Sequence, residues 1–403
     1  MSYPQIGVDK IFAETFSAFG PPFEGTALFE REATGLKEVR AFLRQAMSLQ
    51  WRAYGESGLI HLDYIDNTSF NAVATRTESH ELIGIFSGAV HFIYRFWFFF
   101  MCDPLAMPAV GDPSKDYPSP TVAASIRNED LDINGYQHPR DETRYGAAQN
   151  LALATCLLLV NHEVGHIASC HPHYLEEASQ ERAVYEELPV ASMAADEQLL
   201  RRGMELEADE YAGGITFQCL HANKSLMQGV RDLDMGYVWS AASMALFLLI
   251  HKHSGGGFYA ESPTHPAPFD RWMLSLEALL KSERCQVFNP DITLIGAASR
   301  QVLEFWFRHG FLEGASTVQS QPGDGVAAEP DLRPSLFGEN LPAAEARINI
   351  ALQGIRKVRD ALNRLGAERA AAGAQWHDRH RGAAHSELAR QLSDGSARRK
   401  GKD

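Results

Sequence analysis

Residues 151–169, LALATCLLLVNHEVGHIAS, decide the fold. The first ten are almost solidly apolar, and a helix apolar all round belongs in the middle of a domain. The pattern therefore predicts one long central helix over 146–169, ended by Pro172. In its C-terminal half stands His162-Glu163-Val164-Gly165-His166, an HExxH pattern. Residues four apart on a helix project from one face, one turn apart. Two imidazoles can thus hold one Zn²⁺ while Glu163 faces the neighbouring coordination position as catalytic base. A chain of this length carries such a pattern by accident on the order of a few times in a hundred, so a third ligand must decide.

A histidine-based third ligand would need glycine three residues after His166 and histidine six after it, where Ser169 and Pro172 stand instead. His171 and His173 read as polar residues at a helix end. The other solution takes a glutamate from a second helix. Glu186 or Glu187 would suit a short spacing, but four residues later come Val190 and Ala191. Glu205-Leu206-Glu207-Ala208-Asp209 offers more, because Glu205 and Asp209 lie one turn apart. One carboxylate can bind the ion while the other holds a ligand histidine by its second nitrogen. The metal set is then His162, His166 and Glu205, with Asp209 behind it. Glu207 and Glu210 fall off that face and read as surface charges.

Outward from this centre, 36–50 reads as an amphipathic helix, and 59–65 and 81–86 as strands separated by the turn signal Asp66-Asn67-Thr68. Asn71-Ala72-Val73-Ala74 belongs to the same sheet region. A second long helix is expected over 194–212, closed by Gly213-Gly214, and a third over 237–250. Residues 102–141, rich in Pro, Asp, Ser and Asn, read as an insertion or lid without long regular elements. The fold class is α+β, mainly helical: a zincin core with a small antiparallel sheet packed on the HExxH helix. A metallopeptidase domain spans 1–313, followed by a loop at 314–342, a helix at 343–369 and a disordered tail at 370–403.

The 403 residues carry 51 acidic against 37 basic side chains, a net charge of -14. That balance excludes a general nucleic-acid binder, which needs clustered Lys and Arg. Cys102, Cys156, Cys170, Cys219 and Cys285 are scattered without CxxC spacing, which points away from a disulfide framework and towards a reducing compartment. The start shows no leader pattern, so the expected location is cytoplasmic. Two apolar runs, 92–101 and 236–250, fall short of the roughly 20 residues of a membrane span. They read as buried core helices.

The two blocks 162–166 and 205–209 resemble the peptidase family of the CAAX prenyl proteases and the heat-shock protease HtpX, whose hallmarks are HExxH on one helix and ExxAD on another. Asn71-Ala72-Val73-Ala74 is similar to that family's NAFA segment, with Val73 in the place of its aromatic, and Thr264-His265-Pro266 with Arg271 is similar to its THP-x4-R segment. Arg202 also fits. The resemblance spans about 59–275 and implies a soluble gluzincin near the Lit-type phage-exclusion proteases. It further implies that His265 approaches the ion or the developing oxyanion, that Arg271 pairs with a carboxylate, and that Asn71 to Ala74 bind an extended polypeptide substrate. A His-Pro turn and a surface Arg are the plainer reading of the last block. The function this implies is zinc-dependent endopeptidase. The rival is a zinc-containing regulatory protein, similar to the ImmA/IrrE group, with little general proteolysis.

Overall fold

Residues 5–23, 40–45, 60–77, 80–127, 137–172, 174–175, 195–227, 229–253, 265–309 and 311 are described by the structure, a computed structural model. All of them fall in one contact unit, Met1–Ile355; the second unit, Arg356–Asp403, lies outside the described residues, as do the expected loop at 314–342 and helix at 343–369.

Three strands form the sheet: β1 (Ile60–Ile65), β2 (Ala72–Arg76) and β3 (Glu81–Phe86). Their order is β1-β3-β2. β3, ELIGIF, takes the centre because it is the most apolar of the three and is covered on both faces. It runs parallel to β1 and antiparallel to β2, so the sheet is mixed, not antiparallel as expected. The cause is topological: the link after β1 carries β2 to the far edge of β3, which leaves β1 and β3 side by side and pointing the same way. One face, with Val73, Leu82 and Phe86, packs on Phe12 of the N-terminal helix α1 (Gln5–Thr15) and on Phe16 just after it. The other, with Ala72, Ala74, Ile83 and Ile85, joins the main helical core.

β3 leads directly into α2 (Ser87–Cys102), a helix buried at every position but Tyr94. After a short α3 (Pro120–Arg127) comes the central α4 (Glu142–Ala168), capped by Asp141, whose side chain accepts from Thr143 N and Arg144 N. Trp97 donates to Thr155 Oγ1 at 2.8 Å and ties α2 to α4. Of the described helices, α4 is the one long and apolar enough to cross a membrane, and 89% of its most apolar stretch is buried within the protein. The two shorter apolar runs are buried core as expected, the second within α6 (Met235–His253).

The second site helix, α5 (Ala195–Asn223), runs straight through Gly213-Gly214 instead of ending there. Each glycine costs a helix about 1 kcal/mol. That cost is outweighed because the next two turns bury Phe217 and Leu220, while Gly213 accepts a hydrogen bond from Trp239 Nε1 at 3.0 Å. α7 (Pro268–Lys281), α8 (Glu283–Gln286) and α9 (Ile292–Arg308) complete the described chain, α9 packing Phe305 and Trp306 on Phe96 of α2.

The proline-rich segment after α2 is fastened to the N-terminal end of α4. Buried Arg144 donates to the carbonyls of Met101, Asp103, Ala106, Met107 and Val110 at 2.8 to 3.2 Å. Eighteen residues of helix separate it from His162, about 27 Å. The described part of this segment therefore belongs to the far end of the helix from the HExxH residues.

Candidate metal centre

Two helices build the centre, and they meet where each motif holds its smallest residue. A Cβ placed on Gly165 would stand 2.9 Å from both the Cα and the carbonyl oxygen of Ala208. Only glycine permits that approach. At about 100° per residue, His162 and His166 then lie to one side of the contact on α4, and Glu205 and Asp209 to the matching side on α5. The imidazoles and the carboxylates are thereby aimed at one another.

The distances bear this out. His162 Nε2 and His166 Nε2 are 2.9 Å apart. Glu205 places Oε2 3.3 Å from His162 Nε2 and Oε1 3.6 Å from His166 Nε2. Zinc binds nitrogen and oxygen at about 2.0–2.2 Å, so donors on a tetrahedron of that radius stand about 3.4 Å apart. The three observed separations bracket that value, and the donor set, two imidazoles and a carboxylate, suits a divalent ion. This buried group can hold a metal.

Support reaches the ligands from behind. His162 Nδ1 lies 2.9 Å from Asp209 Oδ1, an ion-pair distance somewhat off the straight hydrogen-bond line. Arg271 of α7 clamps both carboxylate oxygens of Asp209, donating from Nε to Oδ2 at 2.7 Å and from Nη2 to Oδ1 at 2.9 Å, and Nη2 also reaches Glu205 Oε2 at 3.3 Å. It is fully buried, with its guanidinium over the Phe247 ring, so the reading of Arg271 as a surface residue is corrected. His265 is buried too, its Nε2 3.6 Å from Glu205 Oε2. Glu163, next to His162, is 5% exposed.

The site sorts protonation states sharply. Burial lowers the His166 imidazole well below its ordinary value, and the neighbouring His162 adds to this, which leaves a neutral ring fit for ligation. Burial also lowers His162, but the carboxylates of Asp209 and Glu205 raise it more, and it is pushed up to about 10. Glu205 would be raised by burial, yet His265, His162 and His166 hold it well below the usual carboxylate range.

Two residues passed over in the sequence reading belong here. His171 is wholly buried rather than a polar helix end, and its Nδ1 stands 2.8 Å from His166 Nδ1. Glu207 is not a free surface charge; its Oε2 lies 3.2 Å from His171 Nε2. The chain reaches this arrangement by leaving α4 through Cys170, whose φ of 61° is the left-handed helix stop ordinarily given to glycine. No periodicity announces such a fold-back. The legible signal was the pair of small residues, Gly165 and Ala208, one in each motif.

Compared with protein-family models, with curated proteins and with solved structures, the chain matches none.

The remaining candidates divide. Ala72, Val73 and Ala74 form the start of β2, which is the end strand in the described order and lies against α4; Asn71 precedes it and accepts from Phe86 N through its carbonyl. Arg202 is half-buried on α5, one turn before Glu205, and its position alone assigns it no role. His173, Glu186, Glu187 and Thr264 lie outside the described residues.

Proposed function

We propose that the chain is a zinc-dependent endopeptidase of the gluzincin kind, related in its motifs to the HtpX and CAAX prenyl protease family and acting on cytoplasmic polypeptides. The observation that carries this reading is the convergence of His162, His166 and Glu205 at 2.9 to 3.6 Å with Glu163 buried beside them. His162, His166 and Glu205 would hold one Zn²⁺. When bound, the ion supplies a Lewis acid that acidifies water to a pKa of about 7 and polarises a carbonyl.

The chain's own groups supply the rest. Glu163 takes the proton from the attacking water and hands it to the amine nitrogen as the peptide bond breaks. Asp209, gripped by Arg271, keeps His162 turned with Nε2 towards Glu205. His265, on the Glu205 side of the site, is within range to donate to negative charge that develops on the carbonyl oxygen. The end strand β2 is suited to pair with an extended substrate by backbone hydrogen bonds.

Replacing Glu163 by Gln tests this directly. Cleavage of casein is expected to fall by roughly 10²- to 10⁴-fold with zinc content unchanged. Unchanged cleavage would overturn the reading. The enclosure of the site favours one rival, since His162, Glu163, His166 and Glu205 are each exposed by 5% or less. A zinc-containing regulatory protein needs no substrate access, and in that case Glu163→Gln would leave biological activity intact.

A further inference from the structure

We infer that His171 and Glu207 are positioning residues for the ligand His166, a two-step relay that fixes its tautomer and so presents the Nε2 lone pair to the ion. This rests on the metal-site reading above. It is drawn from four contacts: His166 Nε2 to His162 Nε2 at 2.9 Å and to Glu205 Oε1 at 3.6 Å, His166 Nδ1 to His171 Nδ1 at 2.8 Å, and His171 Nε2 to Glu207 Oε2 at 3.2 Å.

Two facing imidazole nitrogens at hydrogen-bond distance share one proton, so one must donate and the other accept. Glu207 decides which. A carboxylate accepts and does not donate, so His171 carries its proton on Nε2 and donates to Glu207. Its Nδ1 is then a bare acceptor. His166 must in consequence carry its proton on Nδ1, and its Nε2 is left bare on the side of His162 and Glu205. The reverse order would set the His171 Nε2 lone pair against a carboxylate oxygen and point the His166 Nε2 proton at His162 and Glu205.

The fold gives each histidine ligand its own route to an anchor. His162 reaches Asp209 directly, while His166 reaches Glu207 through His171. Glu207 stands two residues from Glu205, about 200° around α5, and thus on the opposite flank of the Gly165–Ala208 contact. One short stretch of α5 therefore addresses the ion, the His162 anchor and the His166 relay.

The test uses the full chain and measures zinc affinity by chelator competition, with the visible spectrum of the Co²⁺-loaded protein as a second readout and circular dichroism as a fold control. Wild type is expected to bind one ion. His171→Leu, which removes the acceptor, should weaken binding by roughly 10- to 100-fold and shift the Co²⁺ band. His171→Asn, whose Oδ1 can accept from His166 Nδ1–H, should recover most of that loss. Glu207→Met, which removes the acceptor for His171 Nε2, should weaken binding as well, and it carries the test if His171→Leu fails to fold. Unchanged affinity and spectrum in His171→Leu and Glu207→Met, or equal loss in His171→Leu and His171→Asn, would overturn the relay while leaving the metal site standing. A wild-type protein that binds no ion would instead overturn the metal-site reading itself.

Discussion

The two ends of α4 both bury charge, and they use it in opposite ways. At the N-terminal end, Arg144 spends its donors on five backbone carbonyls, with Asp116 3.7 Å away and the helix cap Asp141 held by Lys115. Every donor has an acceptor, and the arrangement is closed. At the C-terminal end, acceptors face acceptors: two imidazole nitrogens 2.9 Å apart and a carboxylate over both. At most one proton fits between each pair, and the group could hold a metal ion. Buried charge that is satisfied from all sides holds a fold together; buried lone pairs that converge on one point define a site.

The largest effect is expected from breaking the closed end. Arg144→Met strips five carbonyls of their Arg144 bonds, although Asp103 O and Met107 O keep backbone donors in Ala106 N and Val110 N, at a cost of about 3–5 kcal/mol in denaturant unfolding, since several bonds of a charged donor are lost together. Zinc stoichiometry of the protein that remains folded should not change, because the site lies about 27 Å along the helix. A smaller effect is expected where the two helices touch. Alanine is the better helix former by about 1 kcal/mol, yet Gly165→Ala forces its Cβ against the Ala208 backbone and should destabilise by about 1–3 kcal/mol in the same assay. It should also lower zinc affinity, as the helices part.

The third effect is graded with pH and belongs to the open end alone. His162 is held up to about 10, against an ordinary value of about 6.5. A group raised in the folded state stabilises fully below its unfolded value and loses that contribution as pH climbs through the folded one. Chelator-treated protein should therefore lose stability from about pH 6.5 to about pH 10. Zinc must displace the same proton, so its affinity should rise by about one log unit per pH unit across that window. Thermal melting and a pH series of zinc titrations check the two slopes, which should run in opposite directions.

The sequence made the open end legible in its chemistry but not in its full extent. His162, His166, Glu205 and Asp209 could be read because helical spacing alone puts each pair on one face. Arg271 and His265 came through resemblance to known motifs, with no local pattern to place them. His171 and Glu207 escaped because their meeting depends on a left-handed turn at Cys170 and on the side of α5 that faces back to α4, neither of which periodicity reports. Strand positions were legible from apolar runs, whereas the parallel pairing of β1 with β3 depends on where a connecting link crosses. The run through Gly213-Gly214 shows burial overriding a local stop signal.

The central claim is that one side chain from α5 completes a cation site with two from α4. Equilibrium zinc titration of the full chain, wild type against Glu205→Gln, addresses it most directly. The account predicts one zinc per wild-type chain and, for the variant, a loss beyond the roughly 100-fold upper end set by removing a supporting residue. A wild type that takes up no zinc, or a variant that binds it as tightly, would contradict the account.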